Sequence, residues 1–169
     1  IVKNLTGEHL MVVADGMGGH KAGEVASSIV VNGLTDEFKK LETIGEKQDA
    51  VNWIRDAVNE INALIFQHEA SHPESKGMGT TLVMAILTKE YLLFGNVGDS
   101  SGYVMKDNNL HKVTYDHTLV NLLVKSGELT EEEAKDVAKR WNKMLTPGEK
   151  KYYRIKYSAV KADKIKMDE

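Results

Sequence analysis

The run from Leu10 to Ala26, L-M-V-V-A-D-G-M-G-G-H-K-A-G-E-V-A, constrains the fold more than any other stretch. A short apolar segment rich in Val ends on a single carboxylate, Asp15. It then passes through Gly16, Gly18 and Gly19 into residues with helical spacing. The pattern predicts a buried strand, a tight loop and a helix N-terminus, with an acid at the lip of a core strand.

The rest of the chain arranges itself around that unit. The segment Ile1 to Leu5, the turn Thr6-Gly7-Glu8 and the strand His9 to Ala14 predict an N-terminal hairpin. From Ala22 to about Lys40, the residues Ala22, Val25, Ala26, Ile29, Val30, Leu34 and Phe38 follow helical spacing, interrupted by Gly33. After the polar connector Thr43 to Lys47, the positions Val51, Ile54, Val58, Ile61 and Ile65 recur in steps of three and four. Ala50, Ala57 and Leu64 widen this stripe, so the spacing predicts about five turns of helix with one buried face, packed on a sheet. A heptad seam reads similarly over so short a length.

The turn-rich stretch His72 to Gly79 opens a block of strands: Thr80 to Leu87, Tyr91 to Val97, Gly102 to Lys106 and Leu110 to Val113. Their short spacing predicts an antiparallel meander. Two short helices follow, Thr118 to Ser126 and Thr130 to about Lys139, the second with Thr130 and Glu133 placed as a capping box. Beyond Thr146-Pro147-Gly148, the lysine-rich end reads as charged strands or a loose tail. The order favours an α+β domain whose long helices cover antiparallel sheet.

Composition narrows the function classes. At 169 residues the chain is most simply one domain, and its net charge of −3 gives no footprint for nucleic acid. It has no cysteine, which excludes disulfides and Cys-based zinc sites and fits a reducing compartment. The longest apolar run, Leu82 to Leu87, is strand-sized, so no membrane span is expected, and no signal peptide is visible. The chain opens on Ile1, as a trimmed product or a fragment would.

Several residues invite chemistry. Asp15 with Gly16 reads as half of a hard-cation site, because Mg²⁺ and Mn²⁺ take carboxylate and carbonyl oxygens. The bland reading makes Asp15 a local cap on a tight turn. A Walker phosphate loop is ruled out, since no Gly-Lys-Ser/Thr follows. His20 reads as a loop histidine, a metal ligand or a general acid. Asp99, in Gly98-Asp99-Ser100, reads first as a turn residue. Asp116 reads either as the cap of the following helix or as a metal-facing acid. Glu131 to Glu133 suit the start of a helix dipole. The lysines from Lys150 to Lys166 suit a sheet edge better than an acidic partner.

Four segments together resemble the bacterial PP2C-type (PPM family) protein phosphatases, over about residues 8–136. They are V-V-A-D-G-M-G-G-H-K-A-G-E-V-A-S at Val12 to Ser27, G-M-G-T-T-L-V at Gly77 to Val83, N-V-G-D-S at Asn96 to Ser100 and Y-D-H-T-L-V at Tyr115 to Val120. S-G-E-L-T-E-E-E-A at Ser126 to Ala134 is similar to the family's mobile flap.

The resemblance implies an αββα sandwich spanning residues 1–169 as a single domain, incomplete or altered in its C-terminal part, with 137–169 departing from the pattern. It implies hydrolysis of phosphoserine and phosphothreonine on proteins by water activated at two or three Mn²⁺ or Mg²⁺ ions, so no side chain beyond that water is assigned as catalytic. Asp15 would bridge two metals, the Gly16 carbonyl would ligate one, and Asp116 matches the position that helps to hold a third.

The implied partners are phosphorylated Ser/Thr proteins, including a Ser/Thr kinase and its substrates, in the cytoplasm, with no nucleic acid and no membrane. The implied state is a monomer, or a swapped oligomer for a truncated chain. The family's other acidic segments have no counterpart here: the chain contains one Asp-Gly, Ser101 stands where an Arg usually follows G-D-S, and Met17 replaces a histidine of eukaryotic members. A non-catalytic relative acting as an interaction domain is therefore the alternative.

Overall fold

The structure, a computed structural model, describes residues 1–144. The lysine-rich end and its possible strands lie outside the described residues. Two compact units are present, Ile1–Gly102 and a second beginning at Tyr103.

In the first unit, β1 (Val2–Lys3) and β2 (His9–Val13) form the expected antiparallel hairpin. β3 (Gly16–Met17) follows, and then α1 (His20–Lys40) and α2 (Lys47–Ser71). A single 3-10 turn at Pro73–Ser75 leads to β4 (Gly79–Thr80), β5 (Leu82–Leu87) and β6 (Leu92–Val97). The main sheet has the order β1-β2-β5-β6, and β3 pairs separately with β4.

α1 forms because Ala22, Ala26, Val30, Leu34 and Phe38 make one buried line along it. Gly33 does not break this helix. It faces α2, where a Cβ at this position would sit 3.0 Å from Ile61 Cγ1, so the missing side chain lets the helices approach. Phe38 is fully buried, with its ring edge-on to Trp53 at 5.5 Å.

α2 is longer than the expected five turns, at 25 residues. Its start is fixed by Asp49, whose carboxylate accepts from the Glu46 N–H at 3.0 Å, a polar signal that a search for apolar spacing passes over. The buried line runs through Ala50, Ala57, Ile61 and Ile65, while Val51 and Leu64 are exposed, so the true face is narrower than the stripe.

Leu10, Leu82, Met84 and Ile86 pack into the same core as both helices. On alternate positions of the sheet, Val13, Leu87 and Leu92 are exposed.

The expected meander is broken twice. The first strand divides at Thr81 into β4 and β5. After β6, Gly98 at φ +90° bends the chain and ends the pairing.

In the second unit, β7 (Tyr103–Lys106) and β8 (Asn109–Lys112) form a separate hairpin. Its turn residues Asp107 and Asn108 both have positive φ, 51° and 60°, as a two-residue type I′ turn requires. α3 (Leu119–Lys125) and α4 (Glu131–Met144) match the two expected short helices. The capping box is present: Glu133 Oε2 accepts from the Thr130 N–H at 2.8 Å, and Thr130 Oγ1 accepts from the Glu133 N–H at 3.2 Å. The Thr130 N–H, and then its hydroxyl, hold the Glu133 carboxyl below its ordinary pKa. Among the described residues no helix is long and apolar enough to cross a membrane.

Candidate functional site

Asp15 lies where β2 gives way to β3, and it is exposed together with Gly16. It is not a helix cap: α1 starts from Gly19, with no side-chain cap. The loop after Asp15 is pressed against backbone on two sides. A Cβ on Gly16 would fall 1.9 Å from the Gly23 carbonyl oxygen in the first turn of α1, and one on Gly18, at φ +107°, would fall 2.6 Å from the Gly77 carbonyl oxygen. Glycine is therefore required at both positions for the loop to close. His20 is the first residue of α1, and its side chain lies outside the described residues.

The backbone of Asp15 is held from Thr81, at the break between β4 and β5. Val13 pairs with Val83 and Gly16 with Thr80 in one continuous register, which puts Asp15 opposite Thr81. The Thr81 N–H donates to the Asp15 carbonyl at 2.9 Å, while the Asp15 N–H donates to Thr81 Oγ1 at 3.2 Å. Thr81 Oγ1 in turn shares a 2.7 Å hydrogen bond with Ser100 Oγ. Asp99 sits half-buried in the bend between β6 and Ser100.

Asp116 belongs to the second unit and is almost fully buried. Its Oδ1 lies 2.6 Å from Lys112 Nζ, on a side chain that is 9% exposed. Its carbonyl accepts from Asn121 Nδ2 at 2.8 Å and from the Thr118 N–H at 3.0 Å. The cap of α3 is Thr118, whose hydroxyl accepts from the Asn121 N–H at 3.1 Å, so Asp116 is not the capping side chain. Asn121 also ties back to Tyr115, whose hydroxyl donates to the Asn121 carbonyl at 2.6 Å.

The donor chemistry bears on the implied metals. Two consecutive exposed residues, Asp15 and Gly16, offer a carboxylate and a carbonyl oxygen, donors that suit part of the oxygen shell of one hard cation. Asp116 is committed to an ammonium. Among the described residues no three His, Cys, Asp or Glu side chains converge into a metal-holding group. The residues present thus fit one edge of a site and fall short of a complete two-ion cage.

A cavity of about 730 Å³ lies at the opposite end of the sheet from Asp15, between Glu8, Thr43, Asp49, Glu90 and Tyr91. Glu8 there is taken up locally by Thr43 Oγ1 and the Ile44 N–H.

A family model described as protein phosphatase 2C matches residues 2–155. The chain belongs to the protein phosphatase 2C family. Serine/threonine phosphatase stp of Listeria welshimeri is 40% identical over 134 residues, covering 79% of this chain and 53% of that protein. The crystal structure of serine/threonine phosphatase Stp1 from Staphylococcus aureus is 42% identical, with a TM-score of 0.67 over 78% of this chain and 51% of that one. A structure of the catalytic domain of the phosphatase PstP, in complex with two manganese ions, is 37% identical with a TM-score of 0.60, over 74% of this chain and 53% of that one. This chain of the PP2C family therefore spans about half the length of each of these three relatives.

The sequence singles out Asp15, Gly16 and Asp116 as candidates, and it gives no sign of their contacts with Thr81, Lys112 and Asn121. Each of these reads as an ordinary residue: a strand threonine, a charged strand end, a polar helix position. Only the fold shows what they touch.

Proposed function

We propose that this chain carries part of a metal-dependent protein serine/threonine phosphatase. The observation that supports the reading most directly is the exposed Asp15 carboxylate beside Gly16, fixed at a strand end in a chain of the protein phosphatase 2C family. When bound, Mn²⁺ or Mg²⁺ supplies an acidified water and offsets charge on the phosphoryl oxygens. The chain's own contribution is positional. Thr81 and the glycine contacts hold Asp15 and Gly16 in place, and the exposed loop leaves room for a phosphorylated Ser or Thr side chain to approach.

The substrates on this reading are phosphoserine and phosphothreonine proteins, among them a Ser/Thr kinase and its targets, in the cytoplasm. The test is calorimetric Mn²⁺ titration with hydrolysis of p-nitrophenyl phosphate and a phosphothreonine peptide. Activity that requires Mn²⁺ and disappears in Asp15→Ala supports the reading, and a folded chain with neither uptake nor turnover refutes it for this chain.

Two observations favour a second reading, a non-catalytic domain of the family. No cluster of three metal-holding side chains forms among the described residues, and Asp116 is paired with Lys112. The same titration separates the two.

A further inference from the structure

The bond pattern opposite Asp15 is not that of an ordinary ladder. In an antiparallel pair of this kind, two facing residues exchange both N–H···O=C bonds. Here one of them is present, from the Thr81 N–H to the Asp15 carbonyl at 2.9 Å. The reciprocal one is replaced, because the Asp15 N–H goes to the Thr81 hydroxyl at 3.2 Å instead of to the Thr81 carbonyl. That carbonyl accepts from Thr80 Oγ1 at 2.9 Å. The replacement coincides with the interruption between β2–β5 and β3–β4, at the point where the acid emerges from the sheet.

The hydroxyl that makes the substitute bond is itself fixed on two sides. Ser100 Oγ lies 2.7 Å from Thr81 Oγ1. Gly98 leaves space for the Thr81 methyl, since a Cβ at Gly98 would come within 2.9 Å of Thr81 Cγ2. Three separate sequence segments, Asp15-Gly16, Gly79-Thr80-Thr81 and Gly98-Asp99-Ser100, thus meet at one side chain.

We propose that Thr81 is the positioning residue for Asp15 and Gly16. Its hydroxyl, oriented by Ser100, fixes the Asp15 peptide so that the Asp15 carboxylate and the Gly16 carbonyl are presented as a preformed oxygen pair. A preformed pair binds a hard cation more tightly than a loose one, because less backbone freedom is lost on binding. This inference rests on the proposed reading of Asp15 and Gly16 as cation ligands, and its test has one arm that does not use the cation.

The experiment compares the wild-type chain with Thr81→Val, which keeps the shape and loses the hydroxyl, with Thr81→Ser, which keeps the hydroxyl, and with Ser100→Ala. Amide hydrogen exchange at Asp15 is measured by NMR without metal, and Mn²⁺ affinity by calorimetry. Loss of one backbone-anchoring bond is expected to speed Asp15 exchange and weaken Mn²⁺ by about tenfold in Thr81→Val. Thr81→Ser should restore both, and Ser100→Ala should give a smaller change in the same direction. Unchanged Asp15 exchange in Thr81→Val overturns the proposal, as does a serine variant as impaired as the valine one. A wild-type chain that takes up no Mn²⁺ refutes the ligand reading, while the exchange arm still decides whether Thr81 holds the Asp15 peptide.

Discussion

Lys112 Nζ stands 2.6 Å from the buried Asp116 Oδ1, and the lysine side chain is itself only 9% exposed. The pair joins the end of β8 to the segment before α3, so the carboxylate acts as a strut of the second unit. Removing only the cation takes the ammonium away from a buried carboxylate, and breaking a buried pair from one side typically costs about 3–5 kcal/mol. Lys112→Met is therefore expected to lower stability by that order in urea unfolding. The double variant Lys112→Met/Asp116→Leu should regain most of the loss, because the buried carboxylate is removed together with the ammonium. A Lys112→Met chain as stable as the wild type would show that the pair carries no such weight.

Phe38 anchors the contact between the two long helices, fully buried and edge-on to Trp53. Truncating a buried aromatic removes its transfer energy and leaves a cavity, together about 3–5 kcal/mol. Phe38→Ala should unfold at markedly lower denaturant, whereas Phe38→Leu should lose much less. Thermal or urea melts followed by Trp fluorescence check this, since Trp53 reports directly on the contact.

How much of this was legible beforehand depended on the kind of force involved. The long helices follow from apolar spacing, because each buries a face, and the start of α4 follows from the local capping pattern of Thr130 and Glu133. Asp15 was visible because an acid at the end of an apolar run followed by glycines is an unusual pattern. The hold that Thr81 exerts on it was not, since a threonine in a strand is the expected residue whether or not its hydroxyl is used. The Lys112–Asp116 pair was hidden for a related reason: i,i+4 spacing carries meaning in a helix, and here it spans a strand end and a loop. Val51 and Leu64, two positions of the expected stripe on α2 that are exposed, show the limit of spacing itself, which marks a face but not its width.

Tyr91 sits beside the cavity at the far end of the sheet, and its hydroxyl donates to the Gly45 carbonyl at 2.9 Å. Burial, and then the charges of Glu8, Asp49 and Glu90, raise its pKa above the ordinary 10.0. The folded phenol thus holds its proton more tightly than the unfolded one. Its contribution to stability is complete below the unfolded pKa and is lost as pH rises through the folded value. Absorbance titration of the phenolate band in wild type and Tyr91→Phe should give a difference curve centred above 10.0. A curve at or below that value would contradict the acidic surroundings.

Gly23 offers the sharpest test of how the Asp15 loop is seated. An alanine inside a helix normally stabilises it relative to glycine by about 1 kcal/mol. At Gly23 the new Cβ would lie 2.7 Å from the Gly16 carbonyl carbon and 2.8 Å from the Met17 nitrogen, both backbone atoms that cannot swing aside. Overpacking of this kind costs about 1–3 kcal/mol, so the clash should outweigh the propensity gain and Gly23→Ala should be destabilised. Gly33→Ala on the same helix meets only the Ile61 side chain, with its nearest atom at 3.0 Å, and should lose less. The strain in Gly23→Ala also acts on Gly16 itself, so on the proposed reading its Mn²⁺ affinity should fall while that of Gly33→Ala stays near the wild-type value. Melting temperatures and Mn²⁺ calorimetry on the two variants decide both points. Equal melting temperatures would mean that α1 yields at its first turn and that the loop is not held by this contact.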